Sequence, residues 1–198
     1  MADTLLRYQL PRILKKKTVI QRLKWELQGA SFLVRNLRAS RGLSSFTVEH
    51  HNGFALSGLH PNQLREFCRL HQELRDMHKL NFWRQMLYRA RGESMVAVAV
   101  NQQNEMVGFE MFYFRTDEIP SRVIHGAFTG IAPSLRGQGL GSILSRYAVS
   151  QFHARGLRGI SAQVTQDNLP SMRSLLNAGY VKTGESADGL THFMIRRL

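Results

Sequence analysis

The chain has 198 residues, 43% apolar and 21% charged, with 27 Lys+Arg against 14 Asp+Glu and a formal net charge of +13. That length suits one domain, with or without an appendage, and the composition excludes a disordered chain. The single cysteine, Cys68, excludes an internal disulfide framework and a thiolate zinc site, so no metal is expected. No uncharged apolar stretch of about 18 residues exists, which excludes a membrane span. The N-terminus lacks the continuous apolar core of a secretory signal, so a reducing cytoplasm is the expected compartment.

Residues 1–45 carry ten Lys/Arg and two acids, a net +8 of the total +13. Gly42, Ser44 and Ser45 mark a boundary, giving a basic amphipathic extension over 1–45 and a domain over 46–198. Leu6, Leu10 and Ile13 fall at helical spacing, as do Ile20, Leu23 and Leu27. Two short helices are expected, the better one over about 12–28, followed by an apolar patch at Phe32, Leu33 and Val34. Such an extension packs its apolar face on the domain, lies on an anionic membrane surface, or meets an acidic partner. No aromatic-rich RNA motif, zinc finger or helix-turn-helix supports nucleic-acid binding.

The remaining chain alternates strands and helices. A short strand is expected over 54–59. A helix then starts at His60-Pro61-Asn62 with Leu64, Phe67, Leu70, Leu74 and Met77 on one face, and a second runs from about His78 to Arg89. The β-run over 94–100, the turn at 101–104 and a strand over 106–114 form a hairpin. Strands over 122–131 and 159–164 enclose a helix over 139–154. A helix over 169–177 and strands over 180–184 and 190–196 close the chain. No internal repeat is visible.

One segment carries phosphate-binding chemistry. Ile131-Ala132-Pro133-Ser134-Leu135-Arg136-Gly137-Gln138-Gly139-Leu140-Gly141-Ser142 lies between a strand end and a helix start. Alternate glycines let successive backbone N–H groups point into one concavity, and the helix places its positive end there. The segment is neither G-x-x-x-x-G-K-[ST] nor G-x-G-x-x-G, which disfavours a P-loop enzyme and a nucleotide dehydrogenase.

Arg136-Gly137-Gln138-Gly139-Leu140-Gly141 resembles the R/Q-x-x-G-x-G/A signature of the GNAT superfamily of acyl-CoA-dependent N-acyltransferases. Asn168 near a strand end, Ser171 in the next helix and Gly179-Tyr180 extend the likeness, which covers about 54–198. The resemblance implies a mixed α/β fold, with a central twisted, mostly antiparallel sheet whose central strands splay, flanked by helices. It implies acetyl-CoA, or another acyl-CoA, as co-substrate. The backbone of Thr129, Gly130 and Ile131 would pair with the pantetheine arm. The loop Arg136, Gly137, Gln138, Gly139 and Gly141, with Ser142, would hold the pyrophosphate. Asn168 would contact pantetheine, cap the following helix, or do both.

The resemblance also locates proton-transfer positions. A carboxylate used by some members falls at His125, and strand alternation would put His125, Ala127, Thr129 and Ile131 on one side. An imidazole is a competent base near neutral pH. A second subset's carboxylate falls at Gln163, which has no base function. The usual Tyr acid falls at Leu175; Ser174, Tyr147 and water are the alternatives. Glu110 is read as facing solvent in preference to the acceptor cleft. The leading function is transfer of an acyl group, most simply acetyl, to a primary amine of a small metabolite, amino sugar or amino acid. His71, His78, Trp83, Tyr88 and several Arg in 60–92 would line the acceptor pocket. The alternatives are a CoA-binding or membrane-peripheral module with little catalysis, and a long-chain acyltransferase exploiting room beside Gly126, Ala127 and Gly130.

Overall fold

Val96–Val100 (β3) and Met106–Tyr113 (β4) form the hairpin at the centre of the sheet. Both strands are buried on both faces, which is why they read as apolar runs rather than as an alternation. The computed structural model describes residues 19–198. The other strands are Glu49–His51 (β1), Phe54–Gly58 (β2), Val123–Ile131 (β5), Gly159–Thr165 (β6), Val181–Glu185 (β7) and Thr191–Arg197 (β8). They form one eight-stranded sheet in the order β1-β2-β3-β4-β5-β6-β8-β7. Every neighbouring pair is antiparallel except β5 and β6.

The helices are Val19–Ala39 (α1), Leu64–Leu74 (α2), Phe82–Met95 (α3), Leu140–Ala154 (α4) and Leu169–Asn177 (α5). Helices α2 and α3 cover one face of the sheet, and α1 lies on α3; α4 covers the other face with α5 beside it. Phe67, Tyr88 and Phe109 fill the first interface, and Phe112 and Phe152 the second. This is the mixed α/β class expected.

Several element boundaries differ from the sequence reading. Helix α1 is continuous to Ala39 instead of ending near residue 28, because Phe32, Leu33 and Asn36 prolong its packing face. Gly29 is admitted inside it because a Cβ there would sit 2.0 Å from the Trp83 ring. The expected helix around Leu6, Leu10 and Ile13, and residues 12–18 of the second, lie outside the described residues. Helix α2 stops at Leu74, where Asp76 and Met77 adopt positive φ, so Met77 leaves the apolar face and is exposed. Helix α3 starts at Phe82, where the Asn81 side chain accepts the Arg84 N–H at 2.9 Å. It runs to Met95, so β3 begins two residues later than the β-run suggested. Strand β1 was not expected. It is exposed and polar, and an Asn52-Gly53 turn with both φ positive pairs it to β2.

Residues 36–47 tie α1 into the domain. Buried Asn36 accepts the Phe114 N–H at 2.6 Å and donates to the Phe32 carbonyl at 2.9 Å. The Arg91 guanidinium donates to the carbonyls of Ser40 and Leu43. Phe46 packs edge-on against Tyr147 and Phe152.

Candidate active site

A bulge in β5 organises the site. The β4–β5 register runs from Gly108↔Ile131 to Met111↔Phe128, then jumps to Phe112↔Gly126, leaving Ala127 as the extra residue. A bulge bends its strand and sharpens the twist. On the other side, β5 pairs with β6 only over Val123–Gly126 and Gly159–Ala162. Beyond that the two strands part. Thr129, Gly130 and Ile131 keep β4 as their partner, and Gln163, Val164 and Thr165 keep β8. The facing edges therefore present backbone N–H and C=O groups to a wedge, ready to pair with an extended, amide-containing ligand.

The glycine loop closes the wide end of the wedge. Pro133–Leu135 form a single 3-10 turn, and Gly137 and Gly139 follow with φ of 77° and 81°. Nothing lies within 4 Å of a Cβ placed on either glycine, so the loop is an open cradle. Gly139 is also the cap residue of α4, whose first turn has no side-chain cap and no acid. Those unpartnered N–H groups and the helix dipole favour an anion. Arg136 donates from Nε to the Ile131 carbonyl at 3.4 Å, and Gln138 donates to the Ser134 carbonyl at 3.0 Å, bracing the cradle.

The neighbouring residues are placed by helix packing. A Cβ on Gly141 would lie 3.1 Å from Ser174 Oγ, so Gly141 lets α4 and α5 approach closely. The Ser142 and Ser174 hydroxyls lie 3.4 Å apart across that contact. Asn168 caps α5, its Oδ1 accepting the Ser171 N–H at 3.2 Å.

His125 sits where β5 is still paired on both sides, 5% exposed. Its Nδ1 lies 2.8 Å from Ser161 Oγ, and its ring packs on Tyr113 at 5.1 Å. Burial, then the nearby Arg115 and Arg84 cations, push its pKa down to about 4, so the imidazole is neutral at neutral pH. The bulge corrects one expectation. His125 and Tyr113 face the α1–α3 side. Thr129 and Ile131 face α4, Thr129 bonding Glu110 and Ile131 lying against Gly141. The extra residue at Ala127 breaks the two-residue alternation that would have aligned them.

Three further expectations change. Glu110 is buried at 2% exposure instead of facing solvent. Its Oε2 accepts from Ser145 Oγ on α4 at 2.9 Å, and burial raises its pKa to about 7 against the opposing pull of Ser145 and Thr129. Tyr147 donates to the Thr47 carbonyl at 2.8 Å, so its hydroxyl is engaged in the core; Leu175 is buried apolar packing. The space beside Gly130 is filled, whereas beside Gly126 only ordinary contact distances occur. A Cβ on Gly130 would meet Leu74 and Phe109 at 2.7 and 2.9 Å, and one on Gly126 would meet the Ser161 carbonyl at 3.5 Å. Gln163 lies exposed on β6.

The structure adds Glu118 and Ser161, which the sequence reading does not name, and groups His71 with two of the arginines expected in 60–92. The turn between β4 and β5 brings Glu118 to Ser161; burial raises the Glu118 pKa, against the opposing pull of the Ser161 hydroxyl. One Glu118 carboxyl oxygen, Oε2, is buried without a hydrogen-bond partner. Arg84 lies over the Tyr113 ring at 5.2 Å and Arg75 over the Phe128 ring at 5.2 Å. Buried His71 packs among Phe67, Phe109 and Phe128, with its pKa lowered by burial and by Arg75 and Arg84. No local sequence signal announces this grouping, because it is assembled from α2, α3, β5, β6 and a turn.

Wedge and cradle together define a class of protein: one that holds an extended amide arm ending in a phosphate group. Residues 61–180, more than half of the chain, match the acetyltransferase (GNAT) family model. The chain belongs to the GNAT acetyltransferase family. Solved structures with the same fold include the ribosomal-protein-S5-alanine acetyltransferase of Vibrio fischeri, 14% identical, covering 76% of this chain and 96% of that one with a TM-score of 0.61. The yncA protein of Salmonella typhimurium, a putative acetyltransferase solved with its cofactor acetyl-CoA, is 17% identical, with coverages of 74% and 95% and a TM-score of 0.61. The spermidine N-acetyltransferase SpeG of Vibrio cholerae is 17% identical, with coverages of 74% and 95% and a TM-score of 0.58. Among curated proteins, none matches the chain by sequence. No described helix is long and apolar enough to cross a membrane, and no described group of three or more His, Cys, Asp or Glu could hold a metal.

Proposed function

We propose that the protein is an N-acyltransferase that moves an acetyl group from acetyl-CoA to a primary amine of a small acceptor. One observation carries the reading: an open wedge with unpaired β5 and β6 edges leads directly into an open two-glycine cradle at an uncapped helix start. Acetyl-CoA fits the donor set. Thr129, Gly130 and Ile131 would pair with its amide arm, and the amides of Gly137 to Gly141, with Ser142 and Arg136, would meet its pyrophosphate. Gln138 braces that loop, and Asn168 fixes the α5 start beside the arm. The filled space beside Gly130 supports a short acyl group over a long chain.

When bound, the thioester supplies an electrophilic acyl carbon and a thiol leaving group. His125 would take the proton from the attacking amine, directly or through a water. Ser161 and Glu118 set its tautomer. A Glu118 carboxylate would accept from the Ser161 hydroxyl, and the Ser161 oxygen would then accept the His125 Nδ1–H. That leaves Nε2 with its lone pair. The bulge takes the Ala127 N–H out of the ladder, where it can polarise the acyl oxygen. Tyr147 is engaged in the core, so the proton returning to sulfur would come from Ser174, whose hydroxyl lies beside Ser142, or through water.

Arg75 and Arg84 form no ion pair among the described residues; after burial, both cations depress His71, and Arg115 and Arg84 depress His125. That field suits an acceptor whose amine stands beside a carboxylate or phosphate. The test is thiol release from acetyl-CoA across an amine panel containing amino acids, amino sugars and aminoalkyl phosphates. Acetyl-CoA binding without turnover for any amine would replace this reading with a CoA-binding module.

A further inference from the structure

Helix α1 is apolar on two roughly opposite sides, and among the described residues only one has a partner. At about 100° per residue, Gly29, Phe32, Leu33, Asn36 and Ser40 fall on one side of the helix. That side is seated: Gly29 lies against Trp83, Phe32 against Tyr113, and Asn36 bonds Phe114. Val19, Ile20, Leu23, Leu27 and Val34 fall within an arc of about 100° on the roughly opposite side. All five are exposed, from 45% at Val34 to 82% at Val19. The stripe is about 22 Å long at 1.5 Å per residue. A monomer in water gains nothing by presenting such a continuous aliphatic stripe.

The charges beside the stripe identify what would cover it. Helix α1 contains Arg22, Lys24, Arg35 and Arg38 and a single acid, Glu26. Glu26 is drawn to the seated side, accepting from Trp83 Nε1 at 3.1 Å. Lys24 and Arg38 border the stripe and are exposed. A second copy laid on the stripe would bring like charges together, whereas an anionic lipid surface complements them. We infer that α1 is an interfacial docking helix: its Val19–Val34 stripe enters the headgroup region of an anionic membrane, with Lys24 and Arg38 on the lipid phosphates. The acyltransferase site would then work beside a membrane that no described helix is long and apolar enough to cross.

The test is co-sedimentation of the full chain with vesicles of phosphatidylcholine and phosphatidylserine at 3:1, against vesicles of phosphatidylcholine alone. The wild type should bind the anionic vesicles at least ten-fold more tightly and detach as salt rises. Leu23→Glu/Leu27→Glu should lose at least ten-fold in that affinity. Lys24→Glu/Arg38→Glu should abolish the preference for anionic lipid. All four positions are exposed, so far-UV circular dichroism and acetyl-CoA affinity should match the wild type and certify the fold. Wild-type protein left in the supernatant, or a Leu23→Glu/Leu27→Glu variant that binds as well as the wild type, overturns the assignment. A dimer in sedimentation velocity that these leucine changes dissociate, with no vesicle binding, overturns it in favour of a second copy.

Discussion

Replacing Gly139 by Val tests the cradle. Gly139 has φ of 81°, a left-handed conformation that costs an L-residue about 1–2 kcal/mol and a β-branched one more. Nothing lies within 4 Å of its Cβ, so the valine meets no protein atom and the core stays intact. The branched side chain would instead occupy the concavity where the phosphate belongs and turn the neighbouring N–H groups. Charge-assisted hydrogen bonds contribute about 1.5–3 kcal/mol each, so losing two weakens acetyl-CoA binding by roughly 10²–10⁴-fold. Gly189, in the β7–β8 turn, supplies the control: its φ is 71° and its Cβ position is equally open. Calorimetric titration with acetyl-CoA and thermal melts should show similar destabilisation for Gly139→Val and Gly189→Val, with affinity lost only in the first. A folded Gly139→Val protein with wild-type affinity would refute the cofactor assignment.

Three further outcomes are expected. His125→Ala should lower the acylation rate by about 10²–10⁴-fold with little change in acetyl-CoA affinity, and His125→Glu should restore part of it; the wild-type acid limb near pH 4 should vanish in the alanine variant, and stopped-assay rates that keep the limb would assign it elsewhere. Glu110 is protonated more readily in the fold, with a pKa of about 7 against 4.5, so stability should fall as pH rises from about 4.5 to 7; Glu110→Gln should remove that slope and gain about 3 kcal/mol at pH 8 in denaturant melts, and a parallel pH profile would contradict the burial argument. Asn36→Ala leaves the buried Phe114 N–H without its acceptor, which should destabilise the protein by about 1–3 kcal/mol in the same melts; an unchanged midpoint would mean that α1 contributes little to the domain.

Local chemistry made much of this protein readable from its sequence. The apolar runs over 96–100 and 106–113 and the turn between them specify a hairpin. Asn168-Leu169-Pro170 specifies a helix start, and Gly137-Gln138-Gly139 specifies a left-handed cradle before α4. These are decided by backbone freedom, capping and period, which act within a few residues. The Asn52-Gly53 turn carries the same kind of signal for β1, whose own residues are polar and exposed and give no apolar pattern.

What the sequence could not express are relations between distant elements. The extra residue at Ala127 exists only against β4, and it alone puts His125 and Thr129 on opposite faces. Glu110 looks like a surface acid in its strand until α4 covers it. Glu118, Ser161 and His125 are separated along the chain and meet only because a turn folds back over β6. The second apolar side of α1 becomes an unpartnered surface only once α3 has taken the first. Each of these depends on which elements share an edge or a face, and that is fixed by tertiary packing rather than by the residues of any one segment.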